Sequence, residues 1–294
     1  MPEQLYTRRF GDRKEGRLVR TLSAPDRLAP YLAVRRGDAC AYLRDSVEIS
    51  GLEDYLRARR EENLKGLGML HLFIASYVRT VALCPALNRF VSGQKIYARY
   101  GIDVVMALRH GLNGQTEESR IKVAFNPSDT VYDVYRRLGE RIDEINAGQE
   151  RGGTERATGH LLNMPGVFVK FALWGMNLLD YFDWLPQSFL TASPSHGSMM
   201  VTDLSAPGDA AVQYPLGGFG NLPLVFSLGG RRAAWELGAG GVPVERRYID
   251  YAVTVDTRIA DSASLGSALK YLKYHLVNPA LLELPPEQVA EDLF

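Results

Sequence analysis

The chain has 294 residues, enough to bury a substantial core as one large domain or two small ones. Its 34 basic and 34 acidic residues cancel, which removes the electrostatic case for nucleic acid as a main partner, because phosphate neutralisation needs a net basic face. Hydrophobic residues make up 46% and charged residues 23%, the composition of an ordinary globular domain.

In chain order, residues 1–25 are polar and Arg-rich, with no clear period and no apolar leader core, so a cytoplasmic location is expected. Residues 28–50 predict a helical opening that includes Cys40, then a short strand over Ser46–Ser50. Residues 51–66 read as a charged surface helix on which Arg57, Arg59 and Arg60 form a solvated face. The strongest helix follows, with Leu70, Phe73, Tyr77 and Val81 on one face and Pro85 ending it. Cys84 closes that helix. Two cysteines so far apart favour buried, inert thiols over a disulfide or a zinc site.

From Gly93 the pattern turns to strands: "KIYAR", "IDVVMALRH" and "SRIKVAF". Asp129 is placed to cap the helix "TVYDVYRRLGERIDEINAG". "GSMMVTDL", "LPLVFSLGG" and "RRYIDYAVTVDTR" predict three more strands, and Leu265, Leu269, Leu272 and Leu276 stripe a closing helix. The glycine clusters "GGFG" and "GAGG" read as turns, and neither a phosphate-binding loop nor metal-ligand spacing is present. The whole reads as one mixed α/β domain over 1–294.

Residues 161–190 are heavily apolar and aromatic. A spanning helix needs ~20 predominantly apolar residues, whereas Pro165, Lys170 and Asn177 interrupt this run and Asp180 and Asp183 follow it. Helices buried on protein or at a subunit contact are expected, with contact to a membrane surface as the alternative.

Three stretches in order resemble the catalytic domain of the dihydrolipoyl acyltransferases of 2-oxo acid dehydrogenase complexes, which shares the chloramphenicol acetyltransferase-like fold. "HLFIASYVRTVALCPALNRFVSGQKIYAR" is similar to the family's long helix, its Pro-x-Leu-Asn turn and the next strand. "HGSMMVTDLSAPG" resembles the strand that reads Ser-Asn-Leu-Gly, and "VDTRIADSASLG" resembles the Asp-His-Arg-x-x-Asp-Gly signature. The match covers about residues 65–280, leaving 1–25 as a polar extension and 161–190 as an apolar helical insertion.

The resemblance implies a mixed sheet flanked by helices, a homotrimer with sites between subunits, and coenzyme A or an acyl-coenzyme A as substrate. A small-molecule acceptor completes the reaction, with no metal. The chain carries no lipoyl domain, so a role as the core of a dehydrogenase complex is not implied.

Carried over by residue, Asp256, Arg258 and Asp261 match the signature, while Thr257 stands where the family has its histidine base and Ser262 where it has glycine. On the other strand, Thr202 keeps the oxyanion-stabilising hydroxyl, Asp203 replaces asparagine and Ser205 replaces glycine. A threonine hydroxyl is not a base near neutral pH. Proton transfer at this site is therefore expected to be weakened, or the chain to be an inactive binding or scaffold protein that kept the fold.

Asp256, next to the position of the missing histidine, is a replacement base if burial raises its pKa; it is expected instead to stay ionised and pair with an arginine, and Asp261 to form a second arginine clamp. His196 is the first replacement base to test. His110 is a residue for the acceptor channel, and Arg258 and Asp203 are further substrate contacts. His71, His160 and His275 read as core, loop or surface residues.

Overall fold

The computed structural model describes residues 8–112, 115–146, 165–204, 210–238 and 240–292, with side chains at 108–119 and 145–146 outside that description. A six-stranded sheet organises the chain in the order β2 (Cys40–Glu48), β9 (Pro243–Asp256), β8 (Leu224–Leu237), β7 (Met199–Asp203), β5 (Ile102–Leu112), β6 (Gln115–Phe125). β7 pairs in parallel with both β5 and β8, and the remaining pairs are antiparallel. A second sheet joins β1 (Gly16–Leu18), β4 (Lys95–Arg99) and β3 (Arg89–Ser92), so part of the polar N-terminal stretch is paired within the fold.

Period-two alternation decides which face of the large sheet meets the helices. Ile102, Val104 and Met106 of β5, Val201 of β7, Phe226 and Leu228 of β8, and Tyr251, Val253 and Val255 of β9 enter the main core. Their neighbours Met200 and Val225 instead meet Leu216 and Leu222 on the opposite face. The main core is closed by α2 (Ser50–Glu61), α3 (Met69–Leu83), α4 (Val131–Asn146) and α7 (Ser262–Val277).

α3 is buried nearly all round rather than on the one face its spacing suggested, because it lies between the sheet and other helices. Leu265, Leu272 and Leu276 of α7 are buried as the stripe required, with Leu269 packed at its margin. In the two glycine clusters Gly220, Gly240 and Gly241 take positive φ, the conformation that tight turns use.

Some local expectations change. Cys40 opens strand β2 after a short 3-10 turn instead of lying in a helix, because its backbone pairs opposite Asp256. That strand extends to Glu48, and Ser50 already begins α2. Cys40 and Cys84 are both free and half-buried rather than fully buried.

Thr130, not Asp129, caps α4. Its hydroxyl faces the Asp133 backbone N–H, and the Asp133 carboxylate accepts from the Thr130 backbone N–H at 3.0 Å. Asp129 accepts from the Asn126 N–H instead.

The described part of the apolar insertion forms α5 (Gly166–Tyr181) and α6 (Gln187–Ala192). α5 is not buried on its own chain, and among the described residues no helix is long and apolar enough to cross a membrane.

Candidate functional site

The signature stretch sits where β9 ends. Asp256 is the last strand residue, paired with Cys40 of β2, and the chain turns through 257–260 into α7. Asp256 and Arg258 are both buried and form a closed pair. Arg258 Nε donates to Asp256 Oδ1 at 2.8 Å and Nη2 to Oδ2 at 2.6 Å, with the Arg258 backbone N–H adding a third bond at 3.1 Å. The remaining nitrogen, Nη1, donates to the Ala33 and Val34 carbonyls, where α1 (Ala24–Leu32) ends. Arg258 is thus committed to the fold, which corrects its assignment as a substrate contact. Asp256 has the arginine partner that the sequence suggested.

Thr257 is exposed, and its hydroxyl and backbone N–H both donate to the Ala39 carbonyl, at 2.9 and 2.8 Å. The Thr257 side chain therefore ties β9 to the turn before β2. Asp261 makes no arginine clamp. It is exposed at the N-cap of α7, accepting from the Ser264 N–H at 2.7 Å and from the Ser264 hydroxyl at 3.0 Å, and these bonds hold its carboxyl below the ordinary range. The reason is local: an aspartate immediately before a helix meets unsatisfied N–H groups sooner than a distant guanidinium.

A second charged group lies at the same end of the sheet. The segment before β7 is joined to the segment before β8 by the Asn221 N–H donating to the Ser195 carbonyl, and the Asp256 N–H donates to the Pro223 carbonyl. Between them His196 is completely buried. Its Nδ1 lies 2.8 Å from Ser193 Oγ and its Nε2 3.6 Å from Asp180 Oδ2, while Phe189 and Phe219 meet its ring edge to face.

Asp180, in the last turn of α5, also accepts from Arg13 at 2.7 Å. Burial alone would raise the Asp180 pKa, but His196, Arg13 and Arg36 together hold it below its ordinary value. Arg36 is half-buried on the 3-10 turn before β2 and connects the two groups electrostatically. Burial lowers its pKa to about 10, against the pull of Asp256 and Asp180 and with the push of Arg258.

His196 therefore reaches this end of the molecule, but as a packed histidine of an ionic cluster rather than an accessible base. Arg13, Arg36 and Asp180 were not identified from sequence. Arg13 lies in a polar segment without periodicity, Arg36 in a stretch that reads as helical, and Asp180 closes an apolar run, so no local signal marks them.

The strand that carries Thr202 lies elsewhere. Thr202 of β7 is level with Ser227 of β8, which is level with Ala252 of β9, five residues before Thr257. That register puts the two threonines ~16 Å apart along the strands, so one chain does not bring them together.

Thr202 is half-buried and Asp203 exposed. Alternation turns Thr202 and Ser227 to the face away from the helices. Buried Ser227 has a hydroxyl without a hydrogen-bond partner, a neighbour of Thr202 that motif reading had missed. His110 pairs opposite Glu117 in the β5–β6 ladder, but its side chain is outside the described residues, as are Ser205 and His160. Ser262 is the exposed first residue of α7. Among the described residues no group of His, Cys, Asp and Glu is arranged to hold a metal ion.

This sheet order and helix placement define an acyltransferase-core fold. Among solved structures, the chain is similar to the cubic core of the pyruvate dehydrogenase multienzyme complex, with a TM-score of 0.54 and 12% identity over 94% of this chain and 96% of that one. It is also similar to the dihydrolipoamide acetyltransferase of Azotobacter vinelandii, with a TM-score of 0.52 and 12% identity over 88% and 91%. That enzyme's catalytic mechanism has been examined through a serine, a histidine and an asparagine. A protein of Listeria monocytogenes described as a probable dihydrolipoamide acetyltransferase aligns with a TM-score of 0.52 and 14% identity over 87% and 93%. At these identities the likeness establishes the fold. No family model matches the chain, and no curated protein sequence does.

Proposed function

We propose that this chain is a homotrimeric acyltransferase-fold protein of the cytoplasm that receives a coenzyme A thioester without transferring its acyl group efficiently. The observation that carries the reading is Thr257, whose hydroxyl is engaged by the Ala39 carbonyl at the place where the resemblance sets a base.

Acyl transfer joins the acceptor oxygen or sulfur to the acyl carbon, breaks the carbon–sulfur bond and requires the acceptor proton to leave. A positioned base typically contributes ~10²–10⁴ in rate, equivalent to about 3–5 kcal/mol of barrier. The other described histidines do not replace it. His196 is packed against Ser193 and Asp180, His71 Nδ1 accepts from the Gly68 N–H, and His275 Nδ1 lies 2.8 Å from the Tyr271 carbonyl.

The separation of Thr202 from Thr257 supports a trimeric arrangement, since two hydroxyls ~16 Å apart along one sheet serve a common acyl group only if they come from two copies. The half-buried Thr202 hydroxyl also supports a second reading, in which the chain is a working acyltransferase that keeps its oxyanion donor and passes the acceptor proton to a group other than Thr257.

The test is a calorimetric titration with coenzyme A and acetyl-coenzyme A, alongside thioester turnover in the natural chain, Thr257→His and Thr257→His with Thr202→Ala. Binding with slow turnover is expected. Thr257→His should raise the rate up to ~10²-fold, and the added Thr202→Ala should remove that gain through loss of an oxyanion donor. Brisk turnover by the natural chain would favour the enzyme reading, and absence of coenzyme A binding would end both.

A further inference from the structure

We infer that α5 is an interface with a second copy of this chain, paired antiparallel with its counterpart about a two-fold axis through Trp174. The helix has two distinct faces. Val169, Ala172 and Met176 are half-buried and Asp180 is buried, and these positions lie together on one side, anchored at the C-terminal end by the Arg13–Asp180 pair. On the opposite side Val167, Phe171, Trp174, Leu178 and Tyr181 follow one another at alternating spacings of four and three. They are 77%, 69%, 59%, 42% and 50% exposed.

That alternation is the seam of a helix made to pack against another helix, since two turns of one helix then present their knobs to the holes of the next. An antiparallel copy centred on Trp174 sets Val167 against Tyr181 and Phe171 near Leu178, so the same surface serves both partners, as an isologous contact requires.

The area suits a stable pair. Large aromatic side chains offer ~150–250 Å² each. At the exposures above, this face with its neighbour Phe168 presents on the order of 700 Å² per copy. Two copies would bury roughly 1,400 Å², inside the range of specific protein interfaces.

The charge pattern separates this occupant from a lipid surface. A helix lying on a membrane carries a strongly charged, Lys- and Arg-rich polar face. Lys170 is the only cationic side chain of α5, and the face opposite the seam is apolar but for a buried aspartate.

The experiment uses the full chain. Sedimentation equilibrium compares the natural protein with Phe171→Glu and Leu178→Glu, changes at exposed positions whose folding is checked by circular dichroism. In parallel, Trp174→Cys and Ala172→Cys are oxidised in a background carrying Cys40→Ala and Cys84→Ala.

The expected result is that either glutamate halves the assembly mass, and that Trp174→Cys, but not the inward-facing Ala172→Cys, cross-links two copies. Halving runs from hexamer to trimer if the trimer forms through other surfaces, and from dimer to monomer if it does not, so the two ideas fail separately. An unchanged mass, or a natural chain that is already monomeric, overturns the inference. So does equal cross-linking at both positions. If the natural chain but not Phe171→Glu co-sediments with phosphatidylcholine–phosphatidylserine vesicles, lipid is the occupant instead.

Discussion

Replacing Asp256 by asparagine tests whether the signature aspartate is a clamp or a catalyst. In the natural chain its carboxylate accepts three hydrogen bonds from Arg258, all out of water. The amide keeps one acceptor oxygen and no charge, so the Arg258 guanidinium is left buried and uncompensated. Arg36, already destabilised by Arg258, then loses its strongest opposing anion.

Breaking one side of a buried pair typically costs about 3–5 kcal/mol, which at this chain length lowers Tm by roughly 5–8 °C. The assay is urea unfolding followed by circular dichroism on Asp256→Asn, Arg258→Met and the double variant. Because the double variant has no orphaned charge, it should be more stable than the sum of the single losses predicts, with a coupling of at least about 2 kcal/mol. Its recovery stays incomplete, since the Ala33 and Val34 carbonyls lose their donor. A coupling near zero would refute the clamp. So would an Asp256→Asn protein of natural stability that had lost thioester turnover.

His71 supplies a pH-dependent contribution. Burial lowers its pKa to about 4, with Arg60 pushing the same way, from an ordinary value of about 6.5. The unfolded chain therefore binds the proton first. Stability from His71 is complete above about pH 6.5 and is lost as pH falls toward 4, by about 3 kcal/mol in total. His71→Asn keeps an acceptor for Gly68 and should flatten that part of the stability profile; an unaltered slope would place its origin elsewhere.

Gly220→Ala should destabilise the turn beside His196. Its φ is +81°, and a Cβ there would lie 2.2 Å from the Ser195 carbonyl oxygen. A loss of about 1–3 kcal/mol, with faster exchange of the Asn221 amide that bonds Ser195, is the expected outcome, and unchanged exchange would contradict it.

Much of this protein is legible in its sequence because the signal is local. Alternation in "RRYIDYAVTVD" sends Tyr251, Val253 and Val255 to one face whatever strand lies beside them, and the leucine stripe of α7 needs only helical geometry. An arginine partner for Asp256 was likewise expected, but that it is Arg258, two residues on and read as a substrate contact, came only with the turn that brings the groups together. Asp261 misled for the complementary reason: capping and ion pairing both use an aspartate, and only the position of the helix start chooses between them.

What the tertiary structure alone decided depends on strand order and burial. Arg13 meets Asp180 across 167 residues of chain, a contact without a local period. His196 stands beside them because β7 is inserted between β5 and β8, and its complete burial turns a candidate base into a packed side chain. The same sheet order sets Thr202 and Thr257 at separate levels of the sheet. The apolar character of α5 was plain in its residues, but their exposure was not, since an apolar helix is equally well written for a core and for a partner.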